Sequence, residues 1–201
     1  METFTKELQS SLSPQDAIDR LKEGNKRFVD NKGLERDLLT QVNITSGGQF
    51  PFAALLSCID SRVPGEMVFD EGIGSVFNVR VAGNVVNEDV LGSLEYSCKV
   101  AGSKVIVVLG HTKCGAVTAA CKHVELGNIT HLLSKIKPAV DQVMEGEADP
   151  ETIEKVALRN IEVSIERIRA ESPILAEMES NGEIAIVGAV YDVASGAVCF
   201  M

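Results

Sequence analysis

No apolar run in the sequence approaches the roughly 18 or more residues that a membrane span requires. The opening segment, Met1 to Leu12, carries Glu2, Lys6 and Glu7 where a signal peptide would carry an apolar core. A soluble chain that is not exported, with a cytoplasmic location and no membrane partner, is the expectation. Basic charge is in short supply: 19 Lys and Arg stand against 29 Asp and Glu, a formal net charge of −10. Nucleic-acid binding rests on clustered cations that displace counterions, so no nucleic-acid partner is expected. Cysteine is neither dense nor even in number. Five scattered residues in a chain of 201 do not make a disulfide framework, and they suit a reducing compartment. Cys98, Cys121 and Cys199 read as small buried hydrophobes. There is no internal repeat, no low-complexity tract, and no third glycine to turn Gly72-Ile-Gly74 into a dinucleotide fingerprint.

What is present is apolar material for one core: 45% of residues are hydrophobic and 24% charged, at a length that calls for a single domain over 1–201. Ser13-Pro14 with Asp16 opens a helix continued by Ala17, Ile18, Leu21 and Phe28, and its polar outer face places it on the surface of the domain or of a neighbouring subunit. Residues 1–45 are read as a helical N-terminal arm and 50–201 as the core, with 30–48 irregular. Short apolar runs at Phe52 to Ser57, Ser75 to Arg80, Lys104 to Leu109 and Ile184 to Val190 read as strands, with a short hairpin through Ser195-Gly196 to Phe200. Helices are expected at Glu88 to Val100, from Cys114 to about Lys122, Asn128 to Met144, Glu151 to Ala170 and Pro173 to Ser180. The alternation predicts an α/β fold, a mostly parallel central sheet flanked by helices, whose ligands bind beyond the carboxyl ends of the strands.

Chemistry-bearing residues gather at those ends. Cys58, Asp60 and Arg62 follow one strand, and His111 and Cys114 follow another. Two thiolates and an imidazole are the ligands of a catalytic zinc ion that keeps a fourth position open, whereas a structural site is usually closed by four Cys or His. Cys114 also falls near a helix N-terminus, where the dipole favours a thiolate. Arg62 can hold Asp60 off the metal; if that pair breaks, Asp60 can ligate the ion and close the site. A Cys58 nucleophile with His111 as base and Asp60 orienting the ring is an alternative. A thiol phosphatase is not, since three residues separate Cys58 from Arg62 where its loop needs five. Isolated buried thiols and a surface ion pair are the plain alternatives. His123 and His131, placed in helices, are read as surface residues.

Cys58-Ile-Asp60-Ser61-Arg62 with His111-Thr-Lys-Cys114-Gly115 closely resembles the signature of the β-class carbonic anhydrases. The resemblance extends through Asn25-Lys26-Arg27-Phe28, Gly47-Gly48-Gln49, Arg80-Val-Ala-Gly-Asn84, Glu95-Tyr96 and Val187-Gly-Ala-Val-Tyr191-Asp192. It implies one zinc ion per subunit on Cys58, His111 and Cys114, an Asp60/Arg62 catalytic dyad, and reversible hydration of CO2 to bicarbonate and a proton. Zinc brings the pKa of bound water to about 7, which suits that reaction at neutral pH. The resemblance further implies substrate contacts from Gln49, Phe77, Tyr96 and Gly115, some of them across a subunit interface, and a homodimer or homotetramer. Some bacterial relatives carry a non-catalytic bicarbonate site of Trp, Arg and Tyr. This chain has Arg80 and Tyr191, but Leu55 stands in the tryptophan's place and no tryptophan occurs, so that site is not expected and the open zinc form is. Val100 replaces a His that relays protons in some plant relatives, which leaves Tyr96 or buffer. Hydrolysis of carbonyl sulfide or carbon disulfide on the same scaffold, and a non-enzymatic zinc or bicarbonate sensor, are the other functions it leaves open.

Overall fold

A computed structural model describes residues 3–201; Met1 and Glu2 of the polar opening segment lie outside the described residues. Its centre is the pair of most apolar runs, β1 (Ala53–Ser57) and β3 (Val105–His111), every residue of which is buried. β2 (Val76–Arg80) pairs with β1 on one side, β4 (Ala185–Tyr191) with β3 on the other, and β5 (Val198–Phe200) closes that edge. The order β2-β1-β3-β4-β5 is parallel through its first four strands, and only β5 runs antiparallel to β4. The chain leaves β1 towards one edge and returns at β3 to build the other. The carboxyl ends of β1 and β3 therefore flank the topological switch point, where open α/β sheets place their ligands.

Alternation along the central strands divides the core. Ala53, Leu55, Val105, Val107 and Leu109 join Phe52, Phe69 and Leu21 on one face, while Ala54, Leu56, Ile106 and Val108 join Leu94, Ile161 and Ile168 on the other. Burying a Leu or Ile side chain fully contributes about 1.5–3 kcal/mol, and these layers are made of such residues. A third cluster, beyond the strand ends, gathers Cys58, Cys114, Val117, Ile136, Val140 and Val156.

The first face is covered by α2 (Pro14–Val29), preceded by the short α1 (Lys6–Ser11). Ser13 caps α2 reciprocally with Asp16, as the sequence indicates, and Ala17, Ile18 and Leu21 pack on the chain's own core. Ion pairs tie this arm down: Arg20 to Glu71 at 2.8 Å, and Arg27 and Arg36 to Asp70 at 2.6 and 2.5 Å. Residues 30–48 are not wholly irregular. Asp37 accepts from the Thr40 N–H and opens α3 (Leu38–Thr45), a helix missed because Leu39, Val42 and Ile44 face outward instead of marking a core stripe.

After α4 (Gly65–Val68) and β2, a 3-10 turn at Ala82–Asn84 leads to α5 (Glu88–Glu95). The expected helix to Val100 is present in length but ends in a π turn, Tyr96–Val100. α6 (Gly115–Cys121) is followed by α7 (Gly127–Leu133) and α8 (Lys137–Val143), not by one helix across 128–144; Pro138 has no N–H to continue the helical ladder, and it opens α8. α9 (Pro150–Glu171) and α10 (Pro173–Ser180) fall where expected. Gly110 and Gly188 let Ile161 of α9 sit against the sheet: a Cβ on either would lie 2.6 or 2.9 Å from it. Two smaller readings change. Cys199 is exposed on the β5 edge, and His123 lies in a left-handed turn just after α6, at φ 52°.

Candidate metal centre

Cys58 leaves β1, His111 ends β3, and Cys114 is the N-cap residue of α6. All three are nearly inaccessible, at 4%, 1% and 2% exposure, and their ligand atoms lie within 4.8 Å of one another. Parallel pairing brings the strand tips together, since Ser57 stands opposite Leu109 in the β1–β3 ladder. Between His111 and Cys114 the chain turns through Lys113 at φ 57°, a left-handed conformation whose N–H donates to Glu154 Oε1 at 2.8 Å.

The histidine is set for a ligand. Its Nδ1 stands 3.0 Å from the Thr112 carbonyl, which can only accept, so the ring proton resides on Nδ1. That leaves Nε2 as a lone-pair donor, buried, without a hydrogen-bond partner among the described residues, and within 4.8 Å of two sulfur atoms. An orphaned buried nitrogen beside two thiols is what a borderline-soft divalent ion with nitrogen and sulfur preferences would satisfy, so the donor set fits zinc.

The electrostatics point the same way. Contact with the Cys114 thiol, helped by His111 and by the N–H groups of Gly83 and Asp60, lowers the pKa of the Cys58 thiol against the effect of burial, while Cys114 is pushed up by Cys58 and by burial. A cation taken up by the pair would displace whatever proton the two sulfurs retain. Burial opposes protonation of His111, but the Cys58 sulfur, the Thr112 carbonyl and Asp60 outweigh it and raise the imidazole's pKa. Gly83 N–H donates to Cys58 Sγ at 3.3 Å.

Asp60 is pinned away from the ligand atoms. Its Oδ1 accepts from the Arg62 backbone N–H and Nε, both at 2.9 Å, and its Oδ2 from Arg62 Nη2 at 2.7 Å. This bidentate grip is the main reason the carboxyl is held well below the usual range. Oδ2 remains 3.9 Å from His111 Nε2. Arg62 Nη2 also reaches the Lys113 carbonyl at 3.4 Å, and Arg80 donates to the carbonyls of Cys58 at 3.1 Å and Asp60 at 2.6 Å, so both loops are cross-braced.

A family model for carbonic anhydrase matches residues 53–198. Carbonic anhydrase 2 of Mycobacterium tuberculosis is 35% identical over 192 residues, covering 92% of each chain. The chain belongs to the β-class carbonic anhydrases. Among solved structures, the Coccomyxa β-carbonic anhydrase in complex with acetazolamide is similar at 27% identity and a TM-score of 0.74, over 92% of this chain and 86% of that one. A structure from work on two tetrameric β-carbonic anhydrases of Sordaria macrospora shares the fold at 21% identity and a TM-score of 0.72, over 81% and 89%.

Within one protomer of this family member, the remaining sequence-derived positions are dispersed. Phe77 and Tyr96 meet edge to face, with centroids 6.3 Å apart and rings at 73°, in a groove of ≈ 750 Å³ along β2 and α5 that extends to Arg80. Gln49 lines a different depression with Thr45 to Gly48, Ile73 and Gly74. Gly115 opens α6, and a Cβ there would meet nothing within 4 Å. Leu55 is fully buried and Tyr191 nearly so, while Arg80 is engaged with the two backbone carbonyls. His131 is on α7, 3.0 Å from Lys135 Nζ. Sequence reasoning missed the bracing groups Gly83, Glu154 and Asn160. The only signal for them was the Gly-Asn pair in Arg80-Val-Ala-Gly-Asn84.

Proposed function

We propose that the chain catalyses reversible hydration of CO2 to bicarbonate and a proton, with one zinc ion per subunit held by Cys58 Sγ, His111 Nε2 and Cys114 Sγ. The observation that carries this reading is the buried Nε2 of His111, without a hydrogen-bond partner among the described residues and within 4.8 Å of two sulfurs, with a carboxylate held 3.9 Å away. When bound, zinc supplies Lewis acidity that ionises a solvent molecule near neutral pH, the nucleophile CO2 hydration requires.

The chain's own residues do the rest. Arg62 keeps Asp60 off the fourth coordination position, which supports an open resting site, and keeps it ionised so that Oδ2 can accept a hydrogen bond and orient the attacking solvent. Arg80 fixes the backbone between Cys58 and Asp60, and with it the separation of ligand from acceptor. His111 is locked in the tautomer that donates its Nε2 lone pair. Val85, Val117 and Ile136 pack in one buried apolar cluster with the two cysteines and keep bulk water from that side of the site.

Gln49, Phe77, Tyr96 and Gly115 are proposed substrate contacts. The two depressions that Gln49 and the Phe77–Tyr96 pair line in one protomer suit contributions across a subunit interface. A homodimer or homotetramer is supported by outward apolar side chains on α3 and by exposed Tyr96 and Val100. Free cysteines throughout support a cytoplasmic location; among the described residues no helix is long and apolar enough to cross a membrane.

Stopped-flow CO2 hydration across pH, with zinc determined on the same sample, tests the proposal. Fast turnover that scales with zinc content supports it. Full zinc occupancy with negligible hydration would favour a sensor, and sulfide release from carbonyl sulfide or carbon disulfide without CO2 turnover would favour a hydrolase.

A further inference from the structure

α9 reaches the metal loops with uncharged side chains buried more deeply than any helical ladder requires. Asn160 is fully inaccessible, and its Nδ2 donates to the Gly83 carbonyl at 2.8 Å. One turn later Ser164, 2% exposed, donates Oγ to the Asn84 carbonyl at 3.1 Å. Gly83 and Asn84 are consecutive left-handed residues, at φ 71° and 43°. Left-handed pairs are held in place by their surroundings and do not persist unaided. This one is held from behind by α9, and the result is that the Gly83 N–H points forward at Cys58 Sγ, 3.3 Å away. The bracket also leaves Asn160 Oδ1 and Asn84 Nδ2 buried without partners among the described residues, a cost that packing alone does not explain.

We infer that Asn160 and Ser164 are positioning residues for the reaction, acting through the Gly83–Asn84 turn to place an N–H···S hydrogen bond on the Cys58 ligand. The inference rests on the proposed metal centre and adds the α9 bracket to it. A hydrogen bond to a coordinating thiolate withdraws electron density from sulfur. The thiolate then neutralises less of the ion's charge, and the ion stays a stronger Lewis acid than two unmodified thiolates would leave it. Neither Asn160 nor Ser164 touches the ligand atoms, so the effect passes through backbone carbonyls alone.

The test uses cadmium-113 and cobalt(II) as metal probes on the full chain. In the cadmium form of the wild type, NMR is expected to show scalar coupling from the β-protons of Cys58 and Cys114 to the metal, and from the Gly83 amide proton to the metal across Sγ. Cysteine couplings without the Gly83 coupling overturn the inference and leave the metal centre standing; no coupling to either cysteine overturns the metal centre itself. In the cobalt form, Asn160→Leu, which keeps bulk and removes the amide, is expected to move the thiolate-to-cobalt charge-transfer band to lower energy. With zinc, hydration by that variant should fall about tenfold at equal metal content. Ser164→Ala should shift the band in the same direction by less. Bands at the wild-type energy in both variants overturn the bracket's role. If Asn160→Leu does not fold, the wild-type Gly83 coupling and Ser164→Ala decide the matter.

Discussion

Replacing Gly83 by alanine should damage stability and metal binding together, and the structure sets the size of the first effect. The residue sits at φ 71°, where an L side chain costs roughly 1–2 kcal/mol. A Cβ there would stand 2.6 Å from Ile136 Cδ1 and 3.3 Å from Ala116 Cβ, and Ile136 is fully buried. Displacing a buried side chain from its rotamer adds about 1–3 kcal/mol. The sum, about 2–5 kcal/mol, is a large part of a typical total stability of about 5–15 kcal/mol. With a urea slope of about 2–3 kcal/mol per molar, the unfolding midpoint should fall by about 0.7–2.5 M. The titration is run metal-free, in chelator and a reductant, because a bound ion would add its own stabilisation. Gly83→Asn is no rescue: asparagine tolerates the left-handed region, but its amide would enter a buried position already too tight for a Cβ, so its midpoint should fall at least as far as that of alanine. In Gly83→Ala a turn relaxing towards negative φ withdraws its N–H from Cys58, and metal affinity should fall at least about tenfold. Midpoints that coincide for alanine and wild type would refute the reasoning.

Asp60→Asn removes no metal ligand but sets amide donors against Arg62; zinc content should stay at one per chain while hydration falls about 10–100-fold, and near-wild-type turnover would remove Asp60 from the mechanism. The folded Asp60 carboxyl lies below its unfolded value of about 3.9, so the ion pair's contribution is complete above that pH and is lost only as pH falls through the folded value. Its carboxyl carbon-13 shift should therefore hold constant from about pH 8 to about pH 4, and a midpoint near the ordinary value would contradict the bidentate grip. Asp70→Asn keeps a residue that tolerates φ 46° but removes the charge facing Arg27 and Arg36 and turns one of their two acceptor oxygens into a donor; urea unfolding should show a loss of roughly 2–4 kcal/mol, and an unchanged midpoint would mean that the arm is held by packing alone.

The strands were legible because β1 and β3 are short apolar runs covered on both faces, and the ligands because polar residues that end such runs stand out. Cys58, His111 and Cys114 could be read as a metal triad from position alone, without knowledge of their distances. α3 could not be read, since its apolar residues face outward and periodicity carries information only where a face is buried. The break between α7 and α8 was written in Pro138 and overlooked within a helical pattern. The bracing groups are a different case. Asn160 and Ser164 look like polar interruptions of a helix, and Glu154 like one more acid on a surface; only the fold puts them beside turns that are distant in sequence. Left-handed φ at a glycine is suggested by sequence, at Lys113 it is not.

Ala53 to Leu56 and Val105 to Leu109 are greasy on both sides, so sliding β1 past β3 by a single residue would exchange one apolar face for another at little hydrophobic loss. Such a slip would nevertheless carry Cys58 to the wrong side of the ladder, away from His111 and Cys114. A cation held by the triad would proofread strand alignment: the correctly threaded molecule alone would close around the ion, and its binding energy would widen the gap to the misthreaded one. Refolding with the ion present should consequently return more native protein than refolding first and loading afterwards.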